Sequence, residues 1–321
     1  MRRRWQRYLR LFPVWGLCLA LLLACAPEHK TLRIGISPWP GYELIYLAQE
    51  RGYFKQAGVD VQALEFSTLS DSRRAFEMGQ LDGVAVTLSE VLEARDGSKR
   101  DLRVLRIIDR SAGADQILAR KPITSLHQLQ GQRIAIEPTS MGVYVLARAL
   151  ERQGLALQDV HPVIMAPEDM QKALQSGQVS AVVSYAPYST QMRHQTDLHP
   201  IFSSRQMADD VLDVLAFDVS VLKAYPREIH AFERALDRAL DYFQQNPQPA
   251  CRIMARREGL NTQEFCQVLQ NDIQMISSAE QHVYLGPHGR AASVMQDVYR
   301  ILQQNKRITP QKGITDCLSP N

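Results

Sequence analysis

Four short segments concentrate the side chains best able to engage a solute. They are Ser37-Pro38-Trp39-Pro40-Gly41-Tyr42-Glu43, Thr87-Leu88-Ser89-Glu90, Glu137-Pro138-Thr139-Ser140-Met141-Gly142 and Ser184-Tyr185-Ala186-Pro187-Tyr188. Together they supply hydroxyls, backbone N–H donors and aromatic faces. Hydroxyls and free helix N-termini hold polar or anionic groups, and rings cover an apolar body. The combination suits a small polar or anionic ligand with an organic body. Single members have plainer roles open to them. Ser89 and Ser140 also suit helix N-caps, Trp39 suits a ring packed on a turn, and Tyr185 and Tyr188 suit core edges.

Catalytic patterns are missing. The sequence has no GxSxG, no GxxxxGK[ST], no HExxH and no GxGxxG after a strand. The eight His residues are scattered: His194 and His199 stand five apart and His282 and His288 six apart, which places neither pair on one helical face. No metal site, cofactor or enzymatic activity is therefore expected. The Asp209-Asp210…Asp213 group reads as a solvated loop, with Asp213 where the chain re-enters a strand.

The elements that must position these segments alternate. Strands are predicted over 32–37, 59–66, 83–88 and 103–108, with helices over 40–54, 70–78 and 89–95 between them. Strands at 115–119, 133–136, 161–165 and 181–184 follow, with helices over 139–153 and 168–176. A strand returns at 211–219, and the rest is helical, over 227–245, 249–258, 262–276 and 291–304. Alternation of this kind predicts an α/β fold with parallel strands. Residues 71–86 and 169–184 share Asp, Ala, Gly-Gln and a strand Val at a constant offset of 98, which supports two units of one kind. In parallel sheets ligands sit beyond the carboxyl ends of strands, which is where all four segments fall.

The 321 residues carry a formal charge of +3. Five of the 37 Lys and Arg (Arg2, Arg3, Arg4, Arg7, Arg10) lie within residues 1–24, which contain no acid. The remaining 32 face 34 acidic residues, a charge of −2. The basic excess belongs to the N-terminus and gives no support for nucleic-acid binding. A basic stretch, the 14-residue apolar run 11–24 and then Leu22-Leu23-Ala24-Cys25 describe an export signal rather than a membrane span. The last four residues resemble a bacterial lipobox. A lipidated Cys25 would begin the mature chain, anchor it to a membrane surface and leave 25–30 as a tether. Of the other cysteines, Cys251 and Cys266 suit either a disulfide or two thiols.

The motifs GISPWPGYELIYLAQERGYF (35–54), DRSAGADQILA (109–119), LQGQRIAIEPTSMGVYVLARALERQGL (129–155) and VLDVLAFDVSVL (211–222) resemble the nitrate/sulfonate/taurine-type family of ABC-transporter solute-binding proteins, from about Leu32 to Lys312. The resemblance implies a type II periplasmic-binding fold, with two α/β lobes, each a mostly parallel sheet flanked by helices, joined by two hinge crossovers. One lobe would hold 31–112 and 214–321, the other 113–213. The implied pocket is lined by Trp39, Tyr42, Thr87, Ser89, Thr139, Ser140, Met141, Tyr185 and Asp213, with helix N-termini holding an anionic head. Two positions depart from the family pattern: Ala186 stands where relatives often carry Glu, and Arg110 where many have an aromatic or polar residue. Both would favour an anion, whereas Glu43, Asp115 and Asp213 pull toward a zwitterion or an amine.

The implied function is a monomeric lipoprotein of the periplasm that delivers a small organic or oxyanionic solute to an ABC permease. A ligand sensor docking onto a membrane signalling protein is the alternative.

Overall fold

A computed structural model describes residues 30–318 apart from 99, 196, 208, 287 and 312. The export signal and Cys25 lie outside the described residues.

The first run of elements is β1 (Thr31–Ile36), α1 (Glu43–Glu50), α2 (Tyr53–Ala57), β2 (Asp60–Glu65), α3 (Leu69–Glu77), β3 (Gly83–Thr87), α4 (Leu88–Gly97) and β4 (Leu102–Ser111). The single helix expected over 40–54 is two. Gly52 between them takes φ 67°, a left-handed backbone that ends a helix and that Gly adopts without a Cβ clash. The second run is β5 (Gln116–Arg120), β6 (Arg133–Ile136), α5 (Ser140–Glu151), β7 (His161–Ile164), α6 (Pro167–Gln175), β8 (Ala181–Ser184), α7 (Tyr188–Gln195) and β9 (Leu198–Ser203). The chain then returns through β10 (Leu212–Asp218) and continues as α8 (Val219–Ala224), α9 (Pro226–Gln245), α10 (Pro247–Glu258), α11 (Thr262–Asn271), β11 (Ile273–Met275), α12 (Gln281–Tyr284) and α13 (Arg290–Gln304).

These strands form two sheets, in the orders β11-β4-β10-β3-β1-β2 and β7-β6-β8-β5-β9. The α/β class is as expected, but the sheets are mixed rather than mostly parallel. In the first, β1 pairs in parallel with β2 and β3, while β10 enters between β3 and β4 antiparallel to both. In the second, β6 pairs in parallel with β7 and β8, and β5 runs antiparallel to β8 and β9. β5 and β10 each arrive from the other sheet, so no βαβ unit ties them in parallel to the strand before them.

Two strands were not foreseen. β9 reads Leu-His-Pro-Ile-Phe-Ser, whose Pro200 argues against a central strand and is tolerated here because β9 is an edge. β11 occupies the end of the helix expected over 262–276: that helix stops at Asn271, and Ile273–Met275 adds to β4 as the other sheet's edge.

One apolar core runs through both halves, from Leu32, Ile34 and Phe217 on the first sheet to Ile117, Ile134 and Tyr144 beside the second. A smaller cluster, with Leu118, Met170, Leu174 and Val182, covers the second sheet's other face. Cys251 and Cys266 form a disulfide between α10 and α11, and Cys317 is a buried free thiol. Among the described residues no helix is long and apolar enough to cross a membrane.

Candidate functional site

A small cavity of about 20 Å³ lies where the strand ends of the two sheets face each other. From the first sheet's side it is lined by Pro38, Trp39 and Tyr42 in the β1–α1 turn, Leu69 at the start of α3 and Thr87 at the end of β3. From the second sheet's side come Met141 in the first turn of α5 and Tyr185 after β8. Asp115 and Val211 lie on the two crossovers, and Asp213 on β10. A space of this size holds about one water, so a larger ligand requires the halves to part.

Six of the nine residues named from the sequence therefore meet: Trp39, Tyr42, Thr87, Met141, Tyr185 and Asp213. The other three do not line the cavity. Thr139 caps α5 by accepting the Gly142 N–H at 3.1 Å. Ser89 lies 2.6 Å from the Thr87 hydroxyl and donates to Glu90 at 3.1 Å. Ser140 donates to Glu90 Oε1 at 2.6 Å, and the Met141 N–H reaches the same oxygen at 3.2 Å. The N-terminus of α5, expected to receive a ligand's anionic head, is thus occupied by the protein's own carboxylate.

The cavity wall is built on buried acids. Asp213 accepts the Tyr42 hydroxyl at 2.5 Å, and Asp109, opposite it in the β4–β10 ladder, accepts the Trp39 indole N–H at 3.2 Å. Gly41 makes that approach feasible, since a Cβ there would stand 1.9 Å from Asp109 Oδ2. This explains the Pro-Gly-Tyr spacing of the first segment. Burial pushes Asp109 up to about 7 and Asp115 up to about 6. Asp213 is raised by burial and then by the Asp109 charge. Glu137, whose carboxyl faces the Tyr185 hydroxyl, is raised by burial to about 8. The Tyr42 and Tyr185 hydroxyls are themselves pushed up by burial, then by Asp213 and Glu137 respectively. Trp39 meets Tyr185 edge-on across the cavity, with ring centroids 6.2 Å apart, and its backbone N–H is held by Glu258 of α10 at 3.1 Å.

Arg110 does not enter this wall. Its guanidinium pairs with Asp209 at 3.1 Å and with Gln274 of β11, so it offers no charge to a ligand there. Asp115 was legible in the sequence as a carboxylate pulling against an anion. Glu90 stood in the second segment without an assigned role, because nothing local reveals that its partners are 50 residues away. Among the described residues no group of acids, His and Cys has a metal-binding arrangement.

Comparison with known proteins gives the same architecture. A binding protein of Brucella abortus (strain 2308) is 22% identical over 253 residues, covering 77% of this chain and 78% of that protein. The crystal structure of the periplasmic aliphatic sulphonate binding protein SsuA from Escherichia coli superposes with a TM-score of 0.74 at 18% identity, over 90% of this chain and 97% of that one. The desulfurization enzyme DSZB matches with a TM-score of 0.66 at 15% identity, over 91% of this chain and 97% of its own. The α/β fold with two mixed sheets is therefore that of the SsuA-type periplasmic binding proteins, and it also carries an enzyme. Residues 39–250 match the family model described as NMT1/THI5 like. That span is more than half of the chain and contains every cavity residue named above except Pro38, and the protein belongs to the NMT1/THI5-like family.

Proposed function

We propose that this protein is the solute receptor of an ABC importer, held outside the cytoplasm by a lipidated Cys25 and acting as a monomer. The observation that carries the reading is the aromatic- and carboxylate-lined cavity at facing strand ends, too small to admit a solute unless the two halves separate. The lobes would be 31–112 with 214–321, and 113–213, hinged at the crossovers near 112 and 213. Sheet membership supports this division, since β5 to β9 come from between the crossovers and all other strands from outside them. Opening and closing about such crossovers is the hinge motion of periplasmic binding proteins. Similarity to the Escherichia coli receptor supports a periplasmic location, and the Leu22-Leu23-Ala24-Cys25 sequence supports anchoring.

Binding rather than catalysis is supported by the similarity to the Brucella abortus and Escherichia coli binding proteins. Sulfonates, nitrate and taurine are the solutes the resemblance suggests.

Native mass spectrometry of protein purified without refolding tests the reading. A small solute should be retained and released unchanged on denaturation. Release of a chemically altered product would make the protein an enzyme. No retained solute, together with no thermal stabilisation by sulfonates, nitrate, taurine or pyrimidines, would count against a receptor.

A further inference from the structure

Asp115 and Asp213 both line the cavity and are 5% and 2% exposed, and the Oδ2 of each receives no N–H or hydroxyl donor, although the Asp213 carboxyl shares a hydrogen bond with that of Asp109. A buried carboxylate oxygen lacking a donor is costly, and a donor delivered by a ligand relieves the cost. The remaining lining is aromatic or apolar but for Thr87, and contains no Lys, Arg or His. Arg110, the nearest candidate from the sequence, is engaged by Asp209. The N-terminus of α5 is already filled by Glu90. An oxyanion entering here would meet two buried acids and neither of the two features that ordinarily receive it. A cation would meet those same oxygens beside three rings, Trp39, Tyr42 and Tyr185, whose faces attract positive charge.

We propose that the solute taken by this cavity is an organic cation, a primary or secondary ammonium whose N–H groups reach Asp115 and Asp213 and whose body lies against Trp39 and Tyr185. The proposal rests on the receptor reading above and narrows it, because a bare sulfonate or nitrate is then a poor ligand. Primary and secondary amines are favoured over quaternary ones, since only an N–H gives these oxygens a donor.

Isothermal titration calorimetry on the purified full chain decides between the two signs of charge. The probes are matched pairs: benzylammonium against benzenesulfonate, and ethylammonium against ethanesulfonate. At pH 8 the ammonium of each pair should bind and the sulfonate should not. Asp115→Asn should weaken ammonium binding at least tenfold. The wild-type protein supplies a second measurement that does not depend on that variant folding. Burial raises Asp115 to about 6, so its charge is mostly absent at pH 5 and present at pH 8. Ammonium affinity should therefore tighten about tenfold between those pH values. The other groups facing the cavity reinforce this sign. Asp109 and Asp213 ionise in the same direction, and the Tyr42 and Tyr185 hydroxyls stay neutral throughout.

Tighter binding of either sulfonate than of its ammonium partner, or affinity that strengthens toward pH 5, overturns the charge assignment and leaves the receptor reading standing. Silence from both series, with no solute retained on purification, overturns both. Ammonium binding that Asp115→Asn leaves unchanged places the cation elsewhere and removes the proposal.

Discussion

The two halves of the molecule meet in two places that use charge in opposite ways. At the outer edge, α5 faces α13 through alternating charges. Across the halves Arg148 reaches Asp297 at 3.4 Å and Arg300 holds Glu151 at 2.7 Å, while Asp210, on the same half as α5, takes Arg148 at 2.9 Å and Arg152 at 3.0 Å. Every carboxylate there has a guanidinium, and most of the groups are partly exposed to solvent. At the centre, Glu90, Asp109, Asp115 and Asp213 are buried, and their donors are hydroxyls, an indole and a backbone N–H rather than cations. Paired surface charges set a geometry at low cost and contribute little energy. Buried acids without counter-ions oppose folding and are retained where something else uses them. The edge joins the halves by paired charges, whereas the centre leaves buried acids without counter-ions.

The largest break in this contrast comes from Glu90. Glu90→Ala strips the acceptor from Ser140 and from the Met141 N–H, while Thr87 and Ser89 are left to pair with each other. Two stranded donors at an interface between the halves should cost about 3 kcal/mol, read as a lowered urea midpoint, with Glu90→Gln losing less because it keeps one acceptor oxygen. The same variant frees the N-terminus of α5, so benzenesulfonate binding should appear in it. A Glu90→Ala protein as stable as wild type would mean that water already serves that helix end. Tyr42→Phe is a smaller break. It removes only the hydroxyl that donates to Asp213, so a loss of about 1–2 kcal/mol is expected in thermal unfolding of the ligand-free protein. An unchanged midpoint would show that Asp213 does not need that donor.

Much of the centre was legible from local sequence. Trp39, Tyr42, Thr87 and Tyr185 follow strands whose apolar runs are plain, and a strand end is where an α/β sheet places its ligand. Asp213 was legible as the first polar residue of a returning strand. What the sequence hid were partners far apart along the chain. Ser140 and Thr139 look alike as capping hydroxyls. Only the fold brings Glu90 onto one of them and leaves the other to Gly142. Arg110 looked available because its pairing with Asp209 and with the unforeseen strand β11 depends on the chain returning twice. The strand sense was misjudged for the same reason, since β10 inserts between β3 and β4 after a hundred residues spent elsewhere.

The contrast also has a pH signature. Burial raises Asp109 from 3.8 to about 7, Asp115 from 3.8 to about 6 and Glu137 from 4.5 to about 8. A raised carboxyl binds its proton more tightly folded than unfolded, so its contribution is complete below about pH 4 and is lost as the pH climbs through 6 to 8. Glu151 at the edge is lowered from 4.5 by its hydrogen bond to Arg300. Its contribution is present above 4.5 and is lost in acid. The ligand-free protein should therefore melt at a lower temperature at pH 8 than at pH 5, and Asp115→Asn should flatten part of that slope. A calorimetric melting temperature that rises from pH 5 to pH 8 would show that the central acids ionise without penalty.

The smallest effect belongs to the edge itself. Arg148→Ala removes contacts to Asp210, Glu151 and Asp297 together, yet water replaces much of what each carboxylate loses. A cost of about 1 kcal/mol is expected, which for a chain of this size lowers the melting temperature by about 2–4 °C. Salt gives the sharper reading. At 1 M ionic strength the screening length falls to about 3 Å, so the gap between Arg148→Ala and wild type should shrink there, while the gap for Glu90→Ala should persist because its donors are buried. If both gaps respond to salt alike, the centre is as wet as the edge, and the separation between a solvated, paired edge and a dry, unpaired centre is lost.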